Sequence, residues 1–228
     1  MKIGIVAGGF KPFTSGHFSK VALSDKECDK TLLLYSSAER SRGGGVELQS
    51  EQLELMWKLL TPRMKDVFGE RIVIKDASPW PISAVYGIIK CATRSINHPV
   101  PSERERALGF LRNFGITETV SHVTVYGSSE DLDKRFISHI RKNNSHKMFD
   151  DFYDQGKLDF SDGKENLVSI AKNFYPGLTD DEIEDRVKIR GTSLRVSLKH
   201  GKREESYRYF PPILSGEESQ KLFNILCP

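Results

Sequence analysis

Apolar residues along this chain alternate between short continuous runs and longer stretches in which they recur every three or four positions. Ile3 to Ala7 is a short apolar run ended by Gly8-Gly9, the pattern of a buried parallel strand entering a loop. A helix over Gly16 to Leu23 and a second run, Thr31 to Tyr35, complete the start of a βαβ unit. In Gln49 to Leu60 the residues Leu53, Met56, Trp57 and Leu60 fall on one helical face, and Thr61-Pro62 is predicted to stop that helix.

The alternation continues. Arg71 to Ile74 reads as a third strand, the turn Ser78-Pro79-Trp80-Pro81 follows, and Val85, Ile88, Ile89 and Ala92 mark another amphipathic helix. A helix around Ser102 to Phe114 precedes the strand His122 to Tyr126, and Leu132, Phe136, Ile137 and Ile140 form the stripe of the next helix. Residues 143 to 164 are polar and irregular. Val187 to Ile189 is predicted as the last strand, with a short helix from Gly191-Thr192 through Leu198. Ser215 to Glu218 has the form of a capping box and opens a C-terminal helix bearing Leu222, Phe223 and Leu226.

This order predicts an α/β architecture, a Rossmann-like doubly wound parallel sheet with a C-terminal helical extension. Ligand is expected at the carboxyl ends of the strands near the topological switch point. The expected organisation is one domain over residues 1–200, interrupted by a polar insertion at about 143–164, with 201–228 packed on the same domain. Length is compatible with this, since 228 residues can bury a substantial core.

Charge and cysteine content narrow the partners. A formal net charge of +3, from 34 basic and 31 acidic residues, argues for neither nucleic acid nor membrane. Cys28, Cys91 and Cys227 lie far apart without metal-binding spacing, so neither disulfide framework nor zinc site is expected. With no signal-peptide pattern at Met1 to Phe10, the expected location is the cytoplasm. The oligomeric state is left open.

Chemistry concentrates in Gly8-Gly9-Phe10-Lys11-Pro12-Phe13-Thr14-Ser15-Gly16-His17, between the first strand and its helix. Thr14 or Ser15 can cap a helix beginning near Gly16, so that free amides and the positive dipole end face an anion such as phosphate. Gly8, Gly9 and Gly16 permit close backbone approach, and His17 can donate a hydrogen bond to a phosphate oxygen. A second segment, Ile189-Arg190-Gly191-Thr192-Ser193-Leu194-Arg195, reads as a strand end, a turn and a helix start. There Thr192 is the expected N-cap and Arg195 the third helical residue, facing the same cleft. The bland readings are a capped helix with a satisfied histidine and a capped helix with an exposed arginine.

The first segment resembles the GxFxPxHxGH signature of the HxGH-motif nucleotidylyltransferase superfamily at Gly9, Phe10, Pro12, Gly16 and His17, with Thr14 where many members carry the first histidine. The second resembles that superfamily's (I/V)SGTxxR signature at Gly191, Thr192 and Arg195, with Arg190 in place of serine. The resemblance, which takes in cytidylyltransferases and nicotinamide-mononucleotide adenylyltransferases, implies a HUP-type fold. It also implies transfer of a nucleoside monophosphate from an NTP to a phosphorylated small-molecule acceptor, with release of pyrophosphate.

By that resemblance His17, Thr14 and Arg195 are the catalytic candidates, while Gly8, Gly9, Phe10, Lys11, Gly16, Gly127, Gly191, Thr192 and Ser193 bind the nucleotide. Gly127 belongs to Tyr126-Gly127-Ser128-Ser129-Glu130-Asp131, similar to the turn that approaches the nucleotide in relatives. Arg40 and Arg42 lie in a loop like one that carries acceptor- or phosphate-binding residues, although a solvated loop is equally open. Among Lys11, Lys20 and Lys188 as further phosphate partners, Lys11 is preferred because it sits inside the first segment. With no carboxylate cage in sight, Mg²⁺ is expected to arrive with the NTP, bridging its phosphate oxygens.

ATP is favoured over CTP, and nicotinamide mononucleotide is the first acceptor to consider, ahead of sugar phosphates, glycerol phosphate and phosphopantetheine. Two alternatives stay open: a cytidylyltransferase acting on a sugar or polyol phosphate, and a nucleotide-binding module without catalysis. No P-loop, nucleophile elbow, HExxH or EF-hand pattern occurs.

Overall fold

The computed structural model describes residues 1–39, 46–138, 152–164 and 166–227. Five strands, β1 (Lys2–Ala7), β2 (Lys30–Tyr35), β3 (Ile72–Asp76), β4 (His122–Tyr126) and β5 (Leu158–Ser161), form one parallel sheet in the order β3-β2-β1-β4-β5. The chain therefore winds outward from β1 through β3 and then crosses to β4 on the other side. That reversal puts the switch point between the carboxyl ends of β1 and β4, the expected ligand crevice of a Rossmann-like sheet.

Side-chain alternation divides the core into two layers. Ile3 and Ile5 of β1, Leu32 and Leu34 of β2, and Val123 and Val125 of β4 pack against helices α3 (Pro81–Asn97) and α4 (Pro101–Arg112). Val6, Leu33 and Tyr126 face the opposite way, toward α1 (Ser15–Glu27) and α2 (Ser50–Phe68). Gly4 lets α1 lie close on that face. A Cβ there would stand 2.0 Å from Ser24 Oγ and 3.0 Å from both Cys28 Sγ and a Tyr126 ring carbon. Ser24 Oγ is not free to swing away, because it is buried in a 2.8 Å hydrogen bond with Thr31 Oγ1.

Several elements differ from the sequence reading. Thr61-Pro62 does not end α2, which runs on to Phe68. Pro62 sits on the exposed side, and the same apolar stripe continues through Met64 and Phe68, both buried. Burying two large side chains is worth about 1.5–3 kcal/mol each, against about 3 kcal/mol for an interior proline, so the helix continues. Arg71 belongs to a 3-10 turn, and β3 begins at Ile72. After β4 a short helix, α5 (Ser129–Leu132), passes into a π turn over Asp133–Ile137 that buries Phe136. Ile140 lies outside the described residues.

The predicted strand at Val187 to Ile189 is not a strand. Thr179 and Glu182 form a reciprocal capping box, and α7 (Asp180–Val187) runs to the position where the strand was expected, after the one-turn α6 (Leu167–Ala171). The place in the sheet belongs to β5, inside the stretch read as polar and irregular. Its Leu158 pairs with Val123 and its Phe160 with Val125. Two apolar positions in a four-residue strand give almost no periodicity to read.

After α8 (Gly191–Lys199) and α9 (Arg203–Tyr209), α10 (Gly216–Leu226) buries Leu222, Phe223 and Leu226 in the layer that contains α2. Gln52 Nε2 of α2 donates to the Ile225 carbonyl at 2.9 Å. No helix among the described residues is long and apolar enough to cross a membrane.

Candidate active site

At the carboxyl end of β1 the Gly8 amide still bonds to the Leu34 carbonyl at 3.0 Å, and the chain then turns sharply, with Phe10 at φ 41°. A phenylalanine in the left-handed region is strained unless its ring is well held. Phe10 packs edge-on to Phe13, with centroids 5.4 Å apart, and to the His17 imidazole at 4.8 Å. Behind them Trp57 lies 5.2 Å from Phe13 and stacks on Tyr35 at 4.1 Å. Phe10 is 8% exposed and Phe13 fully buried; their rings form an apolar floor that fixes the orientation of His17.

Thr14 is the N-cap of α1 and His17 its third helical residue. The Thr14 amide donates to His17 Nδ1 at 3.0 Å, so the imidazole occupies the place that Glu or Gln takes in an ordinary capping box. An acceptor Nδ1 assigns the ring proton to Nε2, leaving a neutral N–H donor on the far side of the ring. Thr14 itself is fully buried. Its Oγ1 lies 3.0 Å from the same Nδ1 and 3.4 Å from the Ile189 carbonyl oxygen, so it meets the histidine and the second segment.

Burial, and after it the charge of Lys20, push the His17 imidazole down to about 3, against the opposing pull of Asp131. In the unfolded chain His17 takes up its proton near pH 6.5. Between pH 6.5 and 3 the unfolded state thus binds a proton that the folded state refuses. The linked stability is complete above about pH 6.5 and is lost progressively as pH falls toward 3, at a slope of up to about 1.4 kcal/mol per pH unit. Denaturant unfolding across that range is expected to show a shallower acid loss in His17→Asn than in the wild type; equal slopes would refute the buried neutral imidazole.

The second segment abuts the first. Ser15 Oγ donates to the Arg186 carbonyl at 2.9 Å. A Cβ on Gly16 would fall 2.7 Å from the Val187 carbonyl oxygen and 2.8 Å from that of Ile189. Gly16 therefore admits residues 187–189 against the start of α1, and its contact is with protein backbone. Arg190, not Thr192, is the N-cap of α8. Arg195 is consequently the fifth helical residue rather than the third.

Two residues deeper than expected, Arg195 is 8% exposed, and its Nη1 donates to the Lys11 carbonyl at 2.6 Å while Nη2 reaches Thr192 Oγ1 at 3.2 Å. It braces the β1 loop against α8. Gly191 meets that loop at ordinary contact distance, with its hypothetical Cβ 3.4 Å from the Pro12 carbonyl oxygen. Thr192 and Ser193 are exposed beside it, whereas Lys11 is buried at 8% exposure. Gly8 and Gly9 are half-buried in the loop itself.

The ends of β4 and β5 close the other side. The Gly127 amide donates to the Ser161 carbonyl at 3.1 Å, and Ser128 caps α5 by accepting from the Asp131 amide. Ser129 Oγ donates to Asp162 Oδ2 at 2.5 Å, which, ahead of its other contacts, holds that carboxyl below its ordinary value.

Lys20 stands one helical turn after His17 on the same face of α1. Its ammonium is pushed down to about 8, by burial first; Asp131 and Asp162 pull upward, and Arg190 adds to the lowering. Sequence reading ranked Lys20 behind Lys11. The helical i, i+3 spacing from His17 was the signal that could have raised it. Lys188 is engaged by Glu184 at 2.5 Å, and Arg40 and Arg42 lie outside the described residues.

Among the described residues no group of three or more His, Cys, Asp or Glu could hold a metal ion. The arrangement is thus a neutral imidazole donor at a helix start, a second helix start packed against it, and cations around both, a setting suited to a polyphosphate.

No protein-family model matches the chain, and no curated protein does. Among solved structures it is similar to "The Crystal Structure of a Putative Nicotinate-nucleotide Adenylyltransferase from Vibrio parahaemolyticus", at 17% identity and a TM-score of 0.47, over 98% of this chain and 99% of that one. A likeness at that distance carries no weight for activity or substrate, which rest on the geometry of the site.

Proposed function

We propose that this protein is a nucleotidylyltransferase that transfers a nucleoside monophosphate from a Mg²⁺-bound NTP, ATP ahead of CTP, to a phosphorylated small molecule. The observation that carries the reading is the orientation of His17. Its Nδ1 is taken by the Thr14 amide, so Nε2–H is free to donate at a helix start against which a second helix start is packed. An acceptor phosphate oxygen attacks the α-phosphorus in line. The bond to the β-phosphate oxygen breaks, and its electron pair leaves with pyrophosphate.

No protein nucleophile takes part, so the chain contributes position and charge. His17 donates to an α-phosphate oxygen as negative charge builds there. Being neutral near pH 7, it acts as a hydrogen-bond donor and not as a proton reservoir. Thr14 acts through His17 as a positioning residue. Arg195 holds the β1 loop in place through the Lys11 carbonyl. Exposed Thr192 and Ser193 at the start of α8 supply polar groups to the phosphates, and the Gly127 turn borders the nucleotide side.

The test is a panel of NTPs and phosphorylated acceptors, with nicotinamide mononucleotide first and sugar phosphates, glycerol phosphate and phosphopantetheine after it. Pyrophosphate release that depends on both substrates is the expected result. Nucleotide binding without release from any pair would replace the transferase with a binding module.

A further inference from the structure

Resting on the transferase reading, one question is which groups hold the departing pyrophosphate, because Arg195 is already spent on the Lys11 carbonyl and Thr192. Two other cations border the same helix starts. Arg190 is the exposed N-cap of α8 and makes no side-chain cap bond. It directly follows Ile189, whose carbonyl oxygen touches Thr14 Oγ1 and the open side of Gly16. Lys20 rises from α1 one turn after His17, and side chains on a helix lean toward its N-terminus. Its ammonium is therefore directed back toward the histidine.

Among the described residues neither Lys20 nor Arg190 forms a side-chain hydrogen bond or ion pair, yet the two charges are near enough to repel. Two cations bordering a neutral donor offer a place for an anion that carries several charges. Asp131 and Asp162 attract Lys20 more strongly than Arg190 repels it, but both carboxylates are already engaged by other groups. Asp162 accepts from Ser129, and Asp131 is held by Ser128 at 2.9 Å and by Arg135 at 3.0 Å. Glu130 faces Arg190 but is committed to Lys134 at 2.7 Å.

We propose that Lys20 and Arg190 seat the two terminal phosphates of the NTP and retain them as the pyrophosphate departs. Arginine in place of serine at position 190 is then a gain of a phosphate ligand. The arginine adds a positive charge at the rim of the second segment, beside the buried Arg195.

Inorganic pyrophosphate with Mg²⁺, titrated calorimetrically into the whole chain, is the probe. Lys20→Met keeps the apolar stem, Arg190→Ser removes the guanidinium, and each is expected to weaken binding about tenfold or more, as loss of a charge-assisted hydrogen bond does. Lys172→Met, which alters an exposed pair with Asp180 at the end of α7 opposite Val187, is expected to bind like the wild type and controls for net charge. Wild-type affinity should also fall as pH rises from 7 to 10, and Lys20→Met should flatten that dependence. Circular dichroism checks that each variant is folded.

The proposal is overturned if the wild type does not bind pyrophosphate, or if both variants lose no more than Lys172→Met. Its failure is distinct from failure of the transferase reading. Pyrophosphate binding that both variants weaken, without transfer to any acceptor, leaves the seat standing and removes the activity. Transfer by a chain whose variants bind normally does the reverse.

Discussion

Replacing His17 with alanine is expected to slow pyrophosphate release by about 100- to 1000-fold, the usual consequence of losing one preorganised donor to a developing oxyanion. His17→Asn separates the two jobs of the ring. The asparagine oxygen can accept the Thr14 amide where Nδ1 did, which recovers a cap worth about 1 kcal/mol. It offers no donor at the position of Nε2. The rate of His17→Asn should therefore fall with that of alanine, while its melting temperature returns toward the wild type. Full turnover by folded His17→Ala would remove His17 from the chemistry, and the proposed mechanism with it.

Gly16→Val is expected to destabilise the protein by about 3 kcal/mol or more, the upper end of what overpacking costs. The obstacles are the carbonyl oxygens of Val187 and Ile189, 2.7 and 2.8 Å from a Cβ at that position. Backbone oxygens cannot rotate aside as a side-chain end can. Residues 187–189 must move off α1, which breaks the bonds from Ser15 Oγ to Arg186 and from Thr14 Oγ1 to Ile189. A melting temperature lower by roughly 6–12 °C follows for a chain of this size. Gly191→Ala is the control, since its Cβ meets the loop only at 3.4 Å or beyond; that variant should melt close to the wild type. An unchanged melting temperature in Gly16→Val would show that the two segments are not locked together there.

The elements most legible in advance were those with long or fully buried patterns. The runs of β1 and β2 and the stripe Leu53, Met56, Trp57 and Leu60 reveal themselves because burial on one or both faces imposes a period on the sequence. β5 did not, because Leu158 and Phe160 supply only two apolar positions to an edge strand. Val187 to Ile189 misled for the converse reason, an apolar pair beside a turn. The acidic start of α7 and its capping box decide the local structure instead. Pro62 misled because a local helix breaker was weighed without the burial of Met64 and Phe68 beyond it.

The site divides in the same manner. His17 and the two glycine-bearing turns stood out from residue type and spacing alone, and the packing of residues 187–189 against Gly16 brings them together. Their division of labour was not legible. Thr14 and Arg195 read as phosphate contacts, yet the structure buries both in bonds to protein groups. Lys20 read as a phosphate partner ranked behind Lys11, and Arg190 as a departure from the usual serine; among the described residues neither side chain forms a hydrogen bond or ion pair.

By itself the sequence determined that strands and helices alternate, that the first strand turns through glycines into a capped helix, and that a second glycine-bearing helix start lies far along the chain. These are local properties, carried by periodicity, capping residues and glycine. Only the tertiary structure decided which strand completes the sheet, that residues 187–189 lie against Gly16, and which nitrogen of His17 bears the proton. Each of those depends on contacts between segments tens of residues or more apart, or on a hydrogen bond whose geometry sequence spacing does not specify. Burial and charge proximity, the quantities that separate a brace from a ligand, arise only when the chain has closed on itself.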